Sequence, residues 1–184
     1  LILYGELNML IININGAINS GKSTVSKILA QHLKSSCFIE VDDLLSDEEQ
    51  SVLGLNRKEG WQERIKRLQR IIEAEKRNRQ YENIVFAYPM TEKLFREWKE
   101  WEDQTTRFVN ITLAPPLEIC IKKRGERELS DEEVSRIKEM YHEGYHNSKY
   151  ADLIIDNSRQ TPRETTKQIL LFLKDVKKWT SENL

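Results

Sequence analysis

Short apolar runs alternate along the chain with longer segments of helical period. The runs have strand length and are rich in Ile and Val, and they cover Met9–Asn15, residues 37–41, Asn83–Ala87, residues 108–113 and residues 151–155. Most of them lack alternating polar positions, which is typical of strands that are covered on both faces. The pattern predicts five parallel strands in an α/β domain.

Apolar stripes at helical spacing lie between these runs. They consist of Val25, Ile28, Leu29 and Leu33, then Trp61, Ile65, Leu68 and Ile72, and then Leu94, Phe95, Trp98 and Trp101. Such stripes usually face a core. A last helix is predicted after Thr161, because Pro162 suits a first turn and Glu164 completes a capping-box spacing. We expect one three-layer α/β/α domain over residues 9–184, with residues 1–8 as an upstream extension or an expression remnant.

Composition narrows the class of protein. The 184 residues include 29 basic and 30 acidic ones, so the net charge of -1 gives no global reason to expect a polyanion binder. The longest apolar stretches, such as residues 169–173, are far shorter than the roughly 20 residues of a membrane-spanning helix. Cys37 and Cys120 lie far apart, without a metal-type spacing, which favours a reducing compartment. We expect a cytoplasmic protein with no membrane span.

A phosphate-binding motif follows the first predicted strand. It matches GxxxxGK[ST] at every fixed position and comprises Gly16, Ala17, Ile18, Asn19, Ser20, Gly21, Lys22 and Ser23. The glycines let the backbone curl so that successive N–H groups point at phosphate oxygens, and the following helix adds its positive end. Lys22 suits the β and γ phosphates, Ser23 is a Mg²⁺ ligand, and Thr24 can donate to the α-phosphate. The motif predicts binding of ATP with Mg²⁺.

Several classes of nucleotide-binding protein lack their markers here. The sequence contains no NKxD and no LSGGQ. The third strand runs into Ala87 and Tyr88, without the acidic pair that AAA-type and RecA-type motors use to activate water. A small phosphotransferase is therefore favoured, and a regulatory nucleotide-binding protein without an acceptor is the alternative.

A second motif points to different chemistry. His142, Glu143 and His146 spell HExxH, which on a helix would place two imidazoles one turn apart on a zinc ion, as in metallopeptidases. Gly144 weakens that helix, and no third ligand has a suitable spacing. A zinc enzyme would also leave the phosphate loop unexplained, so the metallopeptidase is the remote alternative.

From Met9 to about Lys174 the chain resembles the small P-loop kinases. This group contains nucleoside and nucleotide kinases such as adenylate kinase, shikimate kinase, gluconate kinase, chloramphenicol phosphotransferase and the kinase half of polynucleotide kinase. The resemblance implies a five-stranded parallel sheet ordered 2-3-1-4-5. It also implies an acceptor-binding region at about residues 42–82 and a mobile lid at about residues 124–136.

Two carboxylates follow the second predicted strand. Asp42 and Asp43 lie where the carboxyl ends of parallel strands form the ligand crevice. In the kinases that the chain resembles, an Asp at this place accepts a hydrogen bond from the acceptor hydroxyl, and a neighbouring one holds a magnesium-bound water. We expect Asp42 to be the base, with Asp43 as the second choice, and both are candidate metal ligands. The alternative is that the pair caps the next helix.

The segment at residues 57–79 carries a local net charge of +5. The resemblance implies that this segment covers the acceptor, so that Arg64, Arg67 and Arg70 could bind a nucleotide monophosphate, a carboxylate or a 5′-hydroxyl oligonucleotide end. A solvated helix face is the simpler explanation of such a run. Tyr88, just past the third strand, is placed to touch the acceptor.

Another group of basic residues follows the fourth strand. A helix is expected to run to residue 127 and to bring in Arg124 and Arg127, whose guanidinium groups would stabilise the transition state on lid closure. Arg124 is also a candidate for stacking on adenine, and Arg136 is a further lid arginine. Helix capping is the alternative. The resemblance places Asn157 and Arg159 near the adenine base.

Two departures from the family limit the choice of acceptor. Shikimate kinases carry a glycine triplet where this chain has Ala87, Tyr88 and Pro89, and adenylate kinases carry GKGT where it has Gly21, Lys22, Ser23 and Thr24. The sequence therefore predicts transfer of the ATP γ-phosphate to a hydroxyl or phosphate of a small acceptor. Nucleosides and nucleotides are among the candidates.

Overall fold

The computed structural model of the chain describes residues 9–123 and 128–182. Within these ranges the chain forms five strands, which are β1 (Met9–Asn15), β2 (Ser36–Ile39), β3 (Asn83–Ala87), β4 (Thr106–Leu113) and β5 (Leu153–Ile155). All neighbouring strands are parallel, and their order is β2-β3-β1-β4-β5. The predicted five-stranded sheet and its 2-3-1-4-5 order are confirmed.

Helices cover both faces of this sheet. The described residues form α1 (Lys22–His32), α2 (Asp47–Val52), α3 (Arg57–Asn78), α4 (Glu92–Lys99), α5 (Leu117–Cys120), α6 (Asp131–His142) and α7 (Pro162–Glu182), with a 3₁₀ turn at Asp42–Leu44. Among the described helices, none combines the length and the apolar character needed to cross a membrane. The arrangement confirms the three-layer α/β/α architecture.

Alternate residues of β1 face the two helical layers. Leu10, Ile12 and Ile14 pack in a core with residues of α1 and α7, including Val25, Leu29, Ile169 and Leu173. Met9 and Ile11 point to the other face and pack with residues of α3, α4 and β4, including Leu68, Ile72, Trp98 and Phe108. Since both faces of the strand are buried, the continuous apolar run in the sequence is explained.

The last helix begins where the sequence predicts. The backbone N–H of Thr161 donates to the Glu164 carboxylate at 2.8 Å, and the backbone N–H of Glu164 donates to Thr161 Oγ1 at 3.2 Å. This reciprocal pair is a capping box, which satisfies donors that the first helical turn leaves unpaired. The predicted start of α7 is confirmed.

The helix after β4 is shorter than expected. It ends at Cys120, whereas a helix reaching residue 127 was predicted, and residues 124–127 lie outside the described part of the chain. The carbonyl groups of Cys120 and Lys122 accept hydrogen bonds from Asn19 Nδ2 at 2.8 and 2.9 Å. These carbonyl groups are thus tied to the phosphate loop at the point where the predicted helix would continue.

Candidate active site

A cleft of about 790 Å³ opens at the carboxyl ends of the strands. Its wall includes residues that follow β1, β2, β3 and β5, together with residues of α3 and α6. This is the crevice in which open parallel sheets bind their ligands. The sequence-predicted residues in the wall are Asn19, Gly21, Lys22, Ser23, Thr24, Asp42, Tyr88, Arg136 and Asn157.

The phosphate loop forms one end of the cleft and depends on two glycines. Gly16 and Gly21 have φ values of 138° and 97°, in the region that favours glycine. A Cβ atom on Gly16 would lie 2.5 Å from the carbonyl oxygen of Leu113. No side chain caps α1, and its first turn contains no acidic residue. The first backbone N–H groups of α1 are therefore suited to bind an anion, as phosphate requires.

The side chains of the loop suit a magnesium-bound triphosphate. Lys22 Nζ donates to the carbonyl oxygen of Ala17 at 2.6 Å, so that the ammonium group is folded back over the loop. Ser23 and Asp42 face the same cleft, and both offer the oxygen ligands that Mg²⁺ prefers. The described residues contain no group of three or more His, Cys, Asp or Glu able to hold a metal.

Asn157 lies beside the phosphate loop and lines the cleft. Its Nδ2 donates to the carbonyl oxygen of Ser20 at 3.0 Å, and the residue is only 3% exposed. Its Oδ1 is buried and has no hydrogen-bond partner within the described chain. Arg159 is exposed and does not line the cleft, whereas Gln160 and Pro162 do. The loop after β5 therefore reaches the cleft through residues on either side of Arg159.

Among the lid arginines, Arg136 is the one that the structure places in the cleft wall. Arg124 and Arg127 lie outside the described residues. Arg136 makes ion pairs with Glu139 at 3.0 Å and with Glu143 at 3.1 Å. The hydrogen bonds from Arg136 to Glu143, together with that to Glu139, raise the pKa of the guanidinium group despite its partial burial. Its positive charge is therefore balanced by residues of its own segment.

The HExxH sequence does not form a metal-binding helix. Helix α6 ends at His142, and Gly144 has a φ of 85°, so His146 lies beyond the helix. Glu143 pairs with Arg136. The ring of His146 stacks on that of Tyr141, with 4.6 Å between centroids. The predicted helix through this motif is wrong, because the chain turns at Gly144.

Asp42 and Asp43 differ in their surroundings. Both residues are exposed, but Asp42 begins the 3₁₀ turn and lines the cleft, whereas Asp43 lies outside the cleft wall. The next helix, α2, is capped by Ser46, whose Oγ accepts the backbone N–H of Glu49 at 3.1 Å. The Asp pair is therefore not the N-cap of α2, and Asp42 is left to face the cleft.

Arg64 holds the turn that carries Asp42. The residue is 8% exposed, and its guanidinium donates to the carbonyl oxygens of Leu45 at 2.7 Å and Asp42 at 3.4 Å. It also donates to Gln50 Oε1 at 3.1 Å and lies 5.1 Å from the centroid of the Trp61 ring. Arg64 does not line the cleft, so the structure places it behind Asp42 and not against an acceptor.

Arg67 and Arg70 also make contacts within the protein. Arg67 donates to the carbonyl oxygen of Leu44 at 2.8 Å and to both carboxylate oxygens of Glu49, at 2.7 and 2.9 Å. The hydrogen bonds raise the pKa of Arg67 and lower that of Glu49. Arg70 pairs with Glu63 at 3.7 Å. In the basic segment at residues 57–79, Arg57 is the basic residue that reaches the cleft wall.

Tyr88 is fixed by a polar network that the sequence reading missed. The backbone N–H of Tyr88 donates to Asn13 Oδ1 at 3.0 Å, and Asn13 Nδ2 donates to the Tyr88 carbonyl at 3.1 Å and to Asn110 Oδ1 at 2.9 Å. The backbone N–H of Met90 donates to Asn15 Oδ1 at 2.8 Å. The sequence feature that could have predicted this network is the pair Asn13 and Asn15, two residues apart on one face of an otherwise apolar strand.

Trp61 contacts both the core and the cleft. It packs against the core cluster that contains Ile65 and Leu68, as its helical spacing with them predicts. It also lines the cleft next to Tyr88, and the two ring centroids are 5.9 Å apart. The apolar periodicity indicates the core contact but carries no information about the cleft.

The parallel sheet and the phosphate loop between β1 and α1 define a P-loop nucleotide-binding protein. The family model described as "AAA domain" matches residues 12–162, which is most of the chain, and the protein belongs to this family. Its third strand nevertheless ends at Ala87, without a carboxylate. No curated protein is significantly similar to the chain.

Solved structures with a similar fold include three P-loop proteins of comparable length. A gluconokinase from Sinorhizobium meliloti is 16% identical, with 97% of this chain and 99% of that one covered and a TM-score of 0.65. A tunicamycin resistance protein from Deinococcus radiodurans is 17% identical, with 90% and 95% covered and a TM-score of 0.61. A shikimate kinase from Aquifex aeolicus is 21% identical, with 90% and 96% covered and a TM-score of 0.56. These similarities confirm the resemblance to small P-loop kinases at the level of the fold.

Proposed function

We propose that the protein is an ATP-dependent phosphotransferase that moves the γ-phosphate to a hydroxyl or phosphate group of a small molecule. The observation that carries the proposal is the presence of the phosphate loop and the Asp42 carboxylate in one cleft. A nucleotide switch also contains a phosphate loop, but a phosphotransferase additionally needs a carboxylate beside that loop to take the proton of the acceptor. The gluconokinase and shikimate kinase of similar fold add support for a kinase.

The donor would be held by the phosphate loop. Backbone N–H groups at the start of α1 bind the phosphates, and Lys22 moves from the Ala17 carbonyl to the β and γ oxygens. Ser23 would hold Mg²⁺ directly, with Asp42 as a ligand through water. When bound, Mg²⁺ neutralises charge that develops on the phosphate oxygens. Asn157 and Gln160 line the cleft and would lie beside the base of the nucleotide.

The acceptor would react next to Asp42. For a hydroxyl acceptor, its oxygen forms a bond to the γ phosphorus, the bond to the bridging oxygen breaks to leave ADP, and the proton passes to the Asp42 carboxylate. Arg124 and Arg127, with Arg136 as the weaker third candidate, would offset charge on the transferred group. Closure over the cleft would also exclude water that otherwise hydrolyses ATP.

The test is ATP consumption by the purified chain with and without a panel of acceptors. The panel contains nucleosides, nucleoside monophosphates, sugars, sugar acids, antibiotics and 5′-hydroxyl oligonucleotides. ADP formation that depends on one acceptor, together with its phosphorylated product, supports the kinase. Acceptor-independent hydrolysis, or none at all across the panel, contradicts it.

A matched pair of variants tests the role of Asp42. Asp42→Asn is expected to lower acceptor phosphorylation by roughly 10²-fold, in the range for loss of a general base, with little effect on ATP binding. Asp43→Asn removes the same charge one residue away, outside the cleft wall, and is expected to change turnover by less than about threefold. Equal effects of the two substitutions would contradict the assignment.

A further inference from the structure

Two aromatic rings form one wall of the cleft next to the Asp42 turn. The ring centroids of Trp61 and Tyr88 are 5.9 Å apart, and the planes are inclined at 59°. The guanidinium of Arg64 lies over the indole ring of Trp61, 5.1 Å from its centroid. The side chain of Asn13 forms hydrogen bonds with both the N–H and the carbonyl group of Tyr88. Both rings are therefore held in place before any ligand binds, which lowers the entropy lost on binding.

The cleft wall also contains uncharged side chains, among them Leu94, Met140 and Tyr145. Burial raises the pKa of Tyr88 to about 12, with Tyr145 adding to the shift, and burial also raises the pKa of Tyr145. Both phenol groups thus stay protonated near neutral pH. They offer uncharged hydroxyl groups to a ligand.

Two charged groups in the cleft wall are paired within the protein. Arg136 is paired with Glu139 and Glu143, and Glu40 is paired with Lys27 at 3.2 Å. Arg57 lines the cleft from the exposed first turn of α3. The faces of the two aromatic rings offer no strong hydrogen-bond partner, so a ligand that rests several anionic or hydroxyl groups on them would lose binding free energy.

The aromatic wall lies beside the groups that would carry out the reaction. Arg64 contacts both Trp61 and the carbonyl oxygen of Asp42, so the indole ring and the Asp42 turn are neighbours. The backbone N–H of Tyr88 donates to the carbonyl oxygen of Ile14 at 3.2 Å, two residues before Gly16 of the phosphate loop. A molecule resting on the two rings is therefore close to both Asp42 and the transferred phosphate.

We infer, building on the proposed function, that the acceptor is a small molecule with a flat aromatic ring and a free hydroxyl group. The ring lies against Trp61 and Tyr88, and the hydroxyl faces Asp42. A ring inserted between the two side chains would need about 7 Å, since stacked atoms contact at about 3.5 Å on each side. The 5.9 Å separation is shorter, so the pair acts as a single wall. Nucleosides and aromatic antibiotics have this chemistry, whereas sugar acids do not.

The first experiment compares acceptor classes with the wild-type chain. Thymidine and chloramphenicol each carry a flat ring and a hydroxyl, and gluconate and shikimate serve as polyhydroxylated acids without an aromatic ring. The expected result is that a ring-bearing compound has a kcat/KM at least about tenfold above those of both acids. A preference for gluconate or shikimate would overturn the inference while leaving the proposed kinase activity standing.

The second experiment uses two substitutions of one residue. Trp61→Leu keeps an apolar side chain but removes the ring, and it is expected to raise the KM of the ring-bearing acceptor by about 5- to 150-fold, the range for losing one aromatic stacking contact. Trp61→Phe retains a ring and is expected to raise that KM by no more than about threefold. The KM for ATP should stay within about twofold in both variants.

Three results would overturn the inference. Equal KM values for the Leu and Phe variants would show that an aromatic ring is not needed. A parallel rise in the KM for ATP would indicate a general disturbance of the cleft. The absence of activity with every acceptor would contradict the kinase proposal together with the inference. If Trp61→Leu fails to fold, as judged by circular dichroism, the comparison of acceptors with the wild-type chain still tests the inference.

Discussion

The two ends of the cleft are built in different ways. At the donor end, Gly16 to Thr24 are consecutive, and their function depends on a backbone shape that two glycines with positive φ permit. At the acceptor end, Asp42, Trp61 and Tyr88 come from three separate segments and are held by side-chain hydrogen bonds and ring contacts. One continuous sequence motif therefore encodes the donor end. The acceptor end exists only after the sheet and α3 have packed.

The largest effect is expected from removing the central charge of the donor end. Lys22→Ala should lower ATP-dependent turnover by roughly 10³-fold, because it deletes a preorganised positive charge at the transferred phosphate. Lys174→Ala, an exposed lysine on α7, is the matched control and should leave turnover unchanged. Turnover is measured by coupled ADP detection, and comparable rates for the two variants would contradict the role of Lys22.

The next effect tests whether the donor end depends on backbone shape. In Gly16→Ala the new Cβ atom would lie 2.5 Å from the Leu113 carbonyl oxygen, so we expect the free energy of unfolding to fall by about 3 kcal/mol and ATP binding to be lost. Gly54 also has a positive φ, 65°, but no atom lies within 4 Å of an added Cβ. Gly54→Ala should therefore cost only about 1 kcal/mol.

Urea unfolding measures both glycine variants. The difference between them reports the steric clash at the phosphate loop together with the larger backbone cost of a side chain at φ 138°, since φ 65° lies in the left-handed region that other residues can adopt. Equal losses of stability would mean that the curled backbone of the loop is not constrained by the neighbouring Leu113 carbonyl.

A smaller effect is expected when the support of the acceptor end is removed. Arg64→Met deletes three hydrogen bonds and leaves the buried carbonyl oxygen of Leu45 unpaired, so the free energy of unfolding should fall by about 2 kcal/mol. Acceptor turnover should fall by about tenfold through displacement of Asp42, with ATP binding retained.

Arg70→Met is the matched control for this arginine. The Arg70 side chain is 69% exposed and pairs with Glu63 at 3.7 Å, so the change should cost less than about 0.5 kcal/mol. Loss of ATP binding in Arg64→Met, to the same extent as loss of acceptor turnover, would contradict the separation of the two ends.

The smallest effect concerns the pH dependence of the stability that the ion pair between Arg67 and Glu49 provides. Because Arg67 lowers the pKa of Glu49, the pair stabilises the fold above the ordinary glutamate pKa of about 4.3 and is lost as the pH falls through the lower folded value. Glu49→Gln should therefore be slightly less stable than the wild type at pH 7, and the difference should shrink as the pH falls from 7 to 3. Urea unfolding at both pH values measures this, and a constant difference would contradict it.

The features that sequence reasoning predicted are those with a local cause. The phosphate loop, the capping box at Thr161 and the buried strands each depend on a few neighbouring residues, and the structure confirms all three. The 2-3-1-4-5 order followed from the family resemblance and not from the periodicity. Strand ends were less accurate, since β2 ends at Ile39 and not at residue 41.

The features that were missed depend on contacts between distant segments. Arg64 and Arg67 were expected to bind an acceptor because of the local charge of +5, but their guanidinium groups bind carbonyl oxygens and Glu49 about twenty residues away. The HExxH spacing carried no information about the turn at Gly144. Charge and spacing alone do not indicate which partner a long side chain will reach.

The central claim is that the backbone from Gly16 to Thr24 binds the triphosphate of a nucleotide. Isothermal titration calorimetry of the purified chain with ATP and excess Mg²⁺ tests it most directly. The expected result is a saturable heat with one site per chain, which Lys22→Ala weakens strongly and Lys174→Ala does not. No heat of binding for the wild-type chain, or equal binding by the Lys22→Ala variant, would contradict the claim.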